Sequence, residues 1–455
     1  MSIKHLYEDE RPTLLLDFAN TKTLDPRIAF ERQSVGTYVD ETGIIKTAAD
    51  NEARFDHNPL TGECLGLLIE EGRENLIPES TNLNNTTHWH TSTNPGSLNQ
   101  SNNAGWMVAT ANTTEVVSPD GTNNACKLSG LTTSTFDKNW KVHVVPNSNS
   151  VPMNANVIYT FTLFVKDPDS VFNGDNKLTF MYGSRYSNTN ARVRFDLSND
   201  TVTYAGDIAN ESASITPYPN GWKKLTATFT NTSSGGGPRY MLEEMSPKTT
   251  VNGAAVTQFS INGEKFYVWG FQIEEGYFGT SYMPTSGSTY QRLEDEAEIT
   301  GTDFSNWHNQ SEGTLVVNYQ FKSRVQQNSP CSFRTSGSSS GASWGHYTYN
   351  GGSQQRVPLV GQIGSNFFYL IGTFNSINTN QFYKVSMAYD QSSQSGCITG
   401  DTTKTGTLSA ALPTMDRFVI GWMANPTNKR MSGHIASISY YPTRLSDTTL
   451  EALTK

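Results

Sequence analysis

Apolar and polar residues alternate along most of this chain with a period of two, the signature of strands that bury one face. The pattern is plainest in Val157-Ile158-Tyr159-Thr160-Phe161-Thr162-Leu163-Phe164-Val165-Lys166, in Ala191 to Phe195, in Trp222 to Phe229 and in Phe266 to Ile273. Between these stretches lie Asn173-Gly174, Asn220-Gly221, Asn252-Gly253 and Asn262-Gly263. Such dipeptides reach positive φ readily and favour tight hairpins. No segment between residues 101 and 292 sustains a helical period. The pattern predicts an all-β fold: a small N-terminal meander followed by two β-sandwich (jelly-roll) domains.

The meander and a leading arm occupy residues 1–75. Leu14-Leu15-Leu16-Asp17-Phe18 reads as the first strand, and Gly43-Ile44-Ile45 and Leu67-Leu68-Ile69 as later ones. Turn clusters at Glu41-Thr42-Gly43, Asn58-Pro59 and Leu60 to Glu63 separate them. The first sandwich is expected over 76–292. Its opening 76–100 stretch, rich in Asn, Thr and Ser, reads as a polar connector or as the carrier of that domain's first strand. Leu293 to Thr300 makes an acidic hinge into a second sandwich over 293–455. Ser446 is placed to cap a short last helix, with Asp447 favourable near its N-terminus.

A chain of 455 residues exceeds one ordinary core and implies two or three domains. Its 33 Lys and Arg against 42 Asp and Glu give a net charge of −9 without a basic cluster, which argues against a nucleic-acid partner. Met1 to Arg11 lacks an apolar run, so no signal peptide is expected. No stretch reaches the roughly 18 apolar residues of a membrane span, so no membrane insertion is expected. Cys64, Cys126, Cys331 and Cys397 are widely spaced and read as unpaired thiols.

The chemistry-bearing residues do not form an enzyme pattern. Glycoside hydrolysis needs two carboxyls facing one bond, whereas Glu70-Glu71 and Glu274-Glu275 alternate to opposite faces of their strands. Glu294, Asp295, Glu296 and Glu298 lie in the hinge. His88 and His90 would share a strand face, but no third metal ligand accompanies them. No phosphate loop, nucleophile elbow or zinc-protease motif is present, and no cofactor is expected. Sugar binding uses flat aromatic faces beside amides and hydroxyls, and the candidate platforms are Trp106, Trp140, Trp344 and Tyr347. Residues of this kind are more often structural or interfacial than ligand platforms.

Three resemblances extend this reading. Arg54-Phe55-Asp56-His57, Pro59 to Glu63, Gly66 to Glu71 and Arg73 to Leu76 follow one another in an order that resembles a segment of bacteriophage virion proteins. Tyr159 to Val165, Gly221-Trp222 to Phe229 and Trp269-Gly270-Phe271-Gln272-Ile273-Glu274-Glu275-Gly276 resemble the landmark strands of jelly-roll carbohydrate-binding modules. Thr280 to Thr285 looks like the tail that follows them in phage versions. Gly313-Thr314-Leu315, Phe418 to Gly421, Gly433 to Ile435 and Arg444-Leu445-Ser446 resemble a concanavalin A-like, laminin-G-like sandwich. The resemblances imply a virion decoration, spike or fibre subunit, assembled in the host cytoplasm and exposed on the particle. It would attach to capsid or tail proteins through its N-terminal region, form a homo-oligomer (a trimer), and bind host-surface glycan weakly and multivalently. They further imply packing roles for Trp222 and Trp269, and a possible structural calcium near Asp120, Asp137 or Glu275. The alternatives are a purely structural decoration protein and, more remotely, a glycan depolymerase.

Overall fold

A computed structural model describes residues 11–85, 87–90, 107–130, 145–146, 151, 153–170, 177–182, 191–205, 212–231, 243–245, 265–323, 328–336, 343–351, 354–356, 359–363, 366–370, 378–408, 412, 414–423 and 429–455. The fold is all-β, built of antiparallel sheets with short helices at Phe18–Thr21, Gly301–Ser305 and Asp447–Leu453. Among the described residues, no helix is long and apolar enough to cross a membrane. The last helix is capped as its sequence suggests: Thr449 N–H donates to the Ser446 hydroxyl.

The first sandwich packs a six-stranded sheet against a four-stranded one. The larger runs in the order Ser212–Pro217, Lys223–Asn231, Val157–Lys166, Lys265–Glu275, Cys126–Gly130, Met107–Thr110. The smaller contains Thr201–Ala205, Ala191–Asp196, Lys177–Tyr182 and Glu243–Met245. Phe161, Leu163, Leu225, Phe229 and Ile273 of one meet Leu178, Phe180, Val193 and Phe195 of the other. Phe161 and Phe180 stack with ring centroids 4.4 Å apart. Each such side chain stabilises the fold by roughly 1.5–3 kcal/mol on burial. The described part of the stretch after residue 76, through His90, belongs to this core and carries the strand Trp89–His90, the second of its two expected readings rather than a surface connector. Ile77, Leu83 and Trp89 are all buried in it, and the Trp89 indole N–H donates to the Glu79 carbonyl at 2.8 Å.

The second sandwich pairs two eight-stranded sheets, and the N-terminal segment is woven into both. Leu14–Asp17 and Cys64–Ile69 pair with Gly433–Tyr441, while Ala29–Glu31 pairs with Glu296–Thr300. This corrects the expectation of a separate meander over 1–75. Leu14, Leu16, Leu67 and Ile69 have no core of their own and bury theirs with Ile435, Ile438 and Tyr440. The hairpin Gly36–Val39/Ile45–Ala48 is a sheet of its own and docks on the outer face of the first sandwich, and Arg73–Asn75 pairs separately with Tyr290–Arg292. Trp222 and Trp269 pack in that small outer cluster rather than between the sheets, joined by Ile45, Phe164, Tyr218 and Tyr267.

Candidate functional site

A cleft of about 750 Å³ lies where the hairpin, the large sheet of the first sandwich and the edge of the second sandwich meet. Strand register builds its floor. Thr216, Lys224, Phe164 and Trp269 form one cross-strand row; Ser214, Thr226, Thr162 and Gln272 form the next; Ser212, Thr228, Thr160 and Glu274 form the third. Alternation sends the intervening residues, such as Leu225, Ala227, Leu163 and Phe271, into the core.

One glycine makes those rows possible. A bulge lies between Thr162 and Phe164 in their pairing with the last strand, where Gly270 has φ +70°. The extra residue shifts parity, so Trp269 and Gln272 share the cleft face although they are three residues apart. Gln272 and Glu274 are then used as fasteners. Gln272 Oε1 accepts from Met283 N–H at 2.7 Å, and Glu274 accepts from the Thr280 N–H and hydroxyl at 2.8 and 2.7 Å. Burial raises the Glu274 pKa, offset in part by Arg73 and those hydrogen bonds. The W-G-x-Q-x-E string and the tail after it thus clamp each other.

The segment that resembles phage proteins forms the joint behind the cleft. Arg54 donates to Glu70 at 3.0 Å, to Asp295 at 2.6 Å and to the Ser281 hydroxyl at 2.8 Å. Arg32 reaches Asp295 at 3.0 Å, and Lys322 reaches Glu70 at 2.7 Å. The Arg32, Arg54, Glu70 and Asp295 side chains have no solvent exposure. Burial alone would raise the Glu70 pKa, but Lys322, Arg292 and Arg54 override it and hold the carboxyl well below its usual range. Asn75 completes the joint: its amide donates to the Phe271 and Met283 carbonyls and accepts from Ile77 and Ile273 N–H. Asp56 accepts from Val39 N–H at 2.6 Å and from His434 Nε2 at 2.8 Å. The N-terminal segment, both sandwiches and the acidic hinge therefore share one buried polar network.

Several cleft groups lack such partners. His57 Nε2, Thr162 Oγ1 and Tyr218 Oη are buried and make no hydrogen bond with the protein. The half-buried Lys224 has no carboxylate within ion-pair distance among the described residues. Tyr38 and Phe382 line the cleft partly buried, and Tyr277 is 40% exposed there. The arrangement offers hydroxyls, one ammonium and aromatic faces, which suits a polyhydroxylated ligand. It offers no pair of free facing carboxylates, since Asp56 is bound to His434 and Glu274 to Thr280. Among the described residues, no group of three or more His, Cys, Asp or Glu is placed to hold a metal. Asp120 instead organises its own loop, accepting from Ser118, Thr122 and Asn124.

No protein-family model matches the chain, and no curated protein matches it. Among solved structures, the sialidase CBM40 of Ruminococcus gnavus aligns with 33% of this chain and 87% of its own, at 19% identity and TM-score 0.29. Domain 4 of the arabinanase AbnA from Geobacillus stearothermophilus, in complex with arabinotriose, aligns with 39% of this chain and 82% of its own, at 14% identity and TM-score 0.29. The CBM2 module of the evolved Dit of Lactobacillus casei BL23 phage J-1 aligns with 34% and 71%, at 12% identity and TM-score 0.25. These are loose likenesses over about a third of the chain and carry no argument about ligand.

Trp106 and Trp140 lie outside the described residues, as does Asp137. Trp344 and Tyr347 fall on the strand Ser343–Gly351, in the second sandwich sheet that carries Ala29–Glu31. Of the hinge carboxylates, Asp295 is a buried ion-pair partner rather than a solvated charge. All four cysteines are free thiols. The residues missed were His57, Thr162, Tyr218, Lys224 and Tyr277. The one local signal was Lys223-Lys224-Leu225-Thr226-Ala227-Thr228, whose polar positions alternate on one face.

Proposed function

We propose that this chain is a non-catalytic bacteriophage virion protein, a decoration, spike or fibre subunit, that binds host-surface glycan in the cleft between its sandwiches. The observation that carries the reading is the cleft itself: a floor of hydroxyl rows, unpartnered polar atoms and an exposed tyrosine, held on rigid strands. Pyranose faces stack on aromatic rings while their hydroxyls exchange hydrogen bonds with such groups. The virion assignment is supported by the ordered resemblance from Arg54 to Leu76, whose residues form the joint between the sandwiches. A rigid joint suits a protein that projects its domains from a particle, and many copies raise avidity above single-site affinity. Attachment to capsid or tail proteins and a trimeric state belong to the same proposal.

The test has two parts. Mass spectrometry and antibody labelling of purified particles should find the protein on the virion; its absence there would overturn the virion assignment. Glycan-array and host-cell binding should be saturable for the wild type and weakened at least fivefold in folded Tyr277→Ala. Absence of binding by the intact assembly would favour the purely structural reading, which the lack of tryptophan among the described residues lining the cleft suits.

A further inference from the structure

Lys224 stands near the middle of the cleft floor, opposite Phe164 on one side and Thr216 on the other. Its Nζ lies 6.0 Å from the centre of the Phe164 ring. The other cleft ions are engaged or solvated. Lys322 holds Glu70 at 2.7 Å, Asp56 holds His434 at 2.8 Å, and Glu63 is exposed. A half-buried ammonium without a counter-ion is costly, because burial and a neighbouring cation both disfavour its charge. Both causes act here: burial first, then Lys322, push the Lys224 pKa down, and the charges of Glu274, Glu70 and Asp56, none within ion-pair distance, offset them only in part.

Three buried polar atoms of the cleft lining make no hydrogen bond with the protein. Tyr218 meets Phe164 edge-on with ring centres 5.1 Å apart. Its hydroxyl and that of Thr162 each donate and accept. His57 Nδ1 faces the Val39 carbonyl at 3.0 Å, so in the neutral ring Nδ1 carries the proton and Nε2 is left as an acceptor. The ammonium, with the exposed Thr216 and Ser214 hydroxyls and that of half-buried Thr226 in its own and the next row, matches one carboxylate and several sugar hydroxyls better than a bare anion. We propose, resting on the glycan reading above, that the cleft takes an acidic sugar whose carboxylate pairs with Lys224.

The experiment is calorimetric titration of the full chain with two oligosaccharides, one carrying a hexuronate and one a nonulosonate, each beside its carboxyl-reduced, neutral counterpart. At least one acidic form should bind about tenfold or more tightly than its reduced form, the fold-change a charge-assisted hydrogen bond supports. Which of the two does so identifies the sugar. Lys224→Met should abolish that preference while leaving neutral binding, and Lys224→Arg should retain part of it; circular dichroism checks the fold of each. Equal binding of acidic and reduced sugars, or a preference that survives in Lys224→Met, overturns the proposal and leaves the glycan reading standing. Binding of none of the four overturns both.

Discussion

Arg54 donates from Nη2 to Oδ2 of Asp295 at 2.6 Å, across 241 residues of sequence, with neither side chain reached by solvent. The same guanidinium binds Glu70, so its removal takes a cation from two buried carboxylates and leaves Asp295 to Arg32 and Glu70 to Lys322 and Arg292. Arg54→Met should cost about 3–5 kcal/mol, the usual penalty for breaking a buried pair from one side. Urea unfolding measures it. A loss under about 1 kcal/mol would show that the joint relaxes or admits water.

Acid should loosen the second sandwich before its carboxylates titrate. His308 stacks on Phe304 at 4.6 Å, and burial pushes its pKa down to about 4 from 6.5. The unfolded chain then binds the proton more readily, so stability is full above pH 6.5 and falls as pH drops toward 4. The loss is roughly 2–3 kcal/mol at most. Replacing His308 with Phe should flatten this limb in unfolding curves measured from pH 7 to 4. An unchanged limb would assign the effect elsewhere.

Gly270 should resist substitution. At φ +70° a side chain is strained, and a Cβ there would meet Phe164 and Tyr282 at 3.3 Å. Gly270→Ala should cost about 1–3 kcal/mol in thermal or chemical unfolding. Because the bulge sets which residues face the cleft, binding should weaken as well. Wild-type stability and binding together would show that the bulge is not needed.

Thr162→Val separates stability from binding. The Thr162 hydroxyl is buried without a protein partner, so the isosteric methyl should leave stability unchanged or raise it by about 0.5–1 kcal/mol. Glycan affinity should stay unchanged, because the hydroxyl has no exposed surface, and paired melting and titration experiments would check both. Destabilisation would mean that the hydroxyl is satisfied within the folded protein.

The strands were legible because their signal is local. Alternation from Val157 to Lys166 marks a strand whatever its neighbours are. What alternation does not carry is partnership. Leu14 to Asp17 reads as a strand, but nothing nearby says that it pairs with Gly433–Tyr441. Charged residues ordinarily face water, so Arg54, Glu70 and Asp295 look like surface groups until the fold brings them together. Gly270 is visible in the sequence, whereas the parity shift that turns Trp269 and Gln272 to one face appears only in the register. The cleft draws on three distant segments, and its key lysine has an ordinary surface residue's neighbours in sequence.

The most direct test of the account is a crystal structure of the protein with an oligosaccharide from its host's surface. Density for the sugar should lie in the cleft, against Tyr277 and Lys224 and within hydrogen-bond reach of Thr216. Sugar bound instead on the strand bearing Trp344 and Tyr347, or none at saturating concentration, would contradict it.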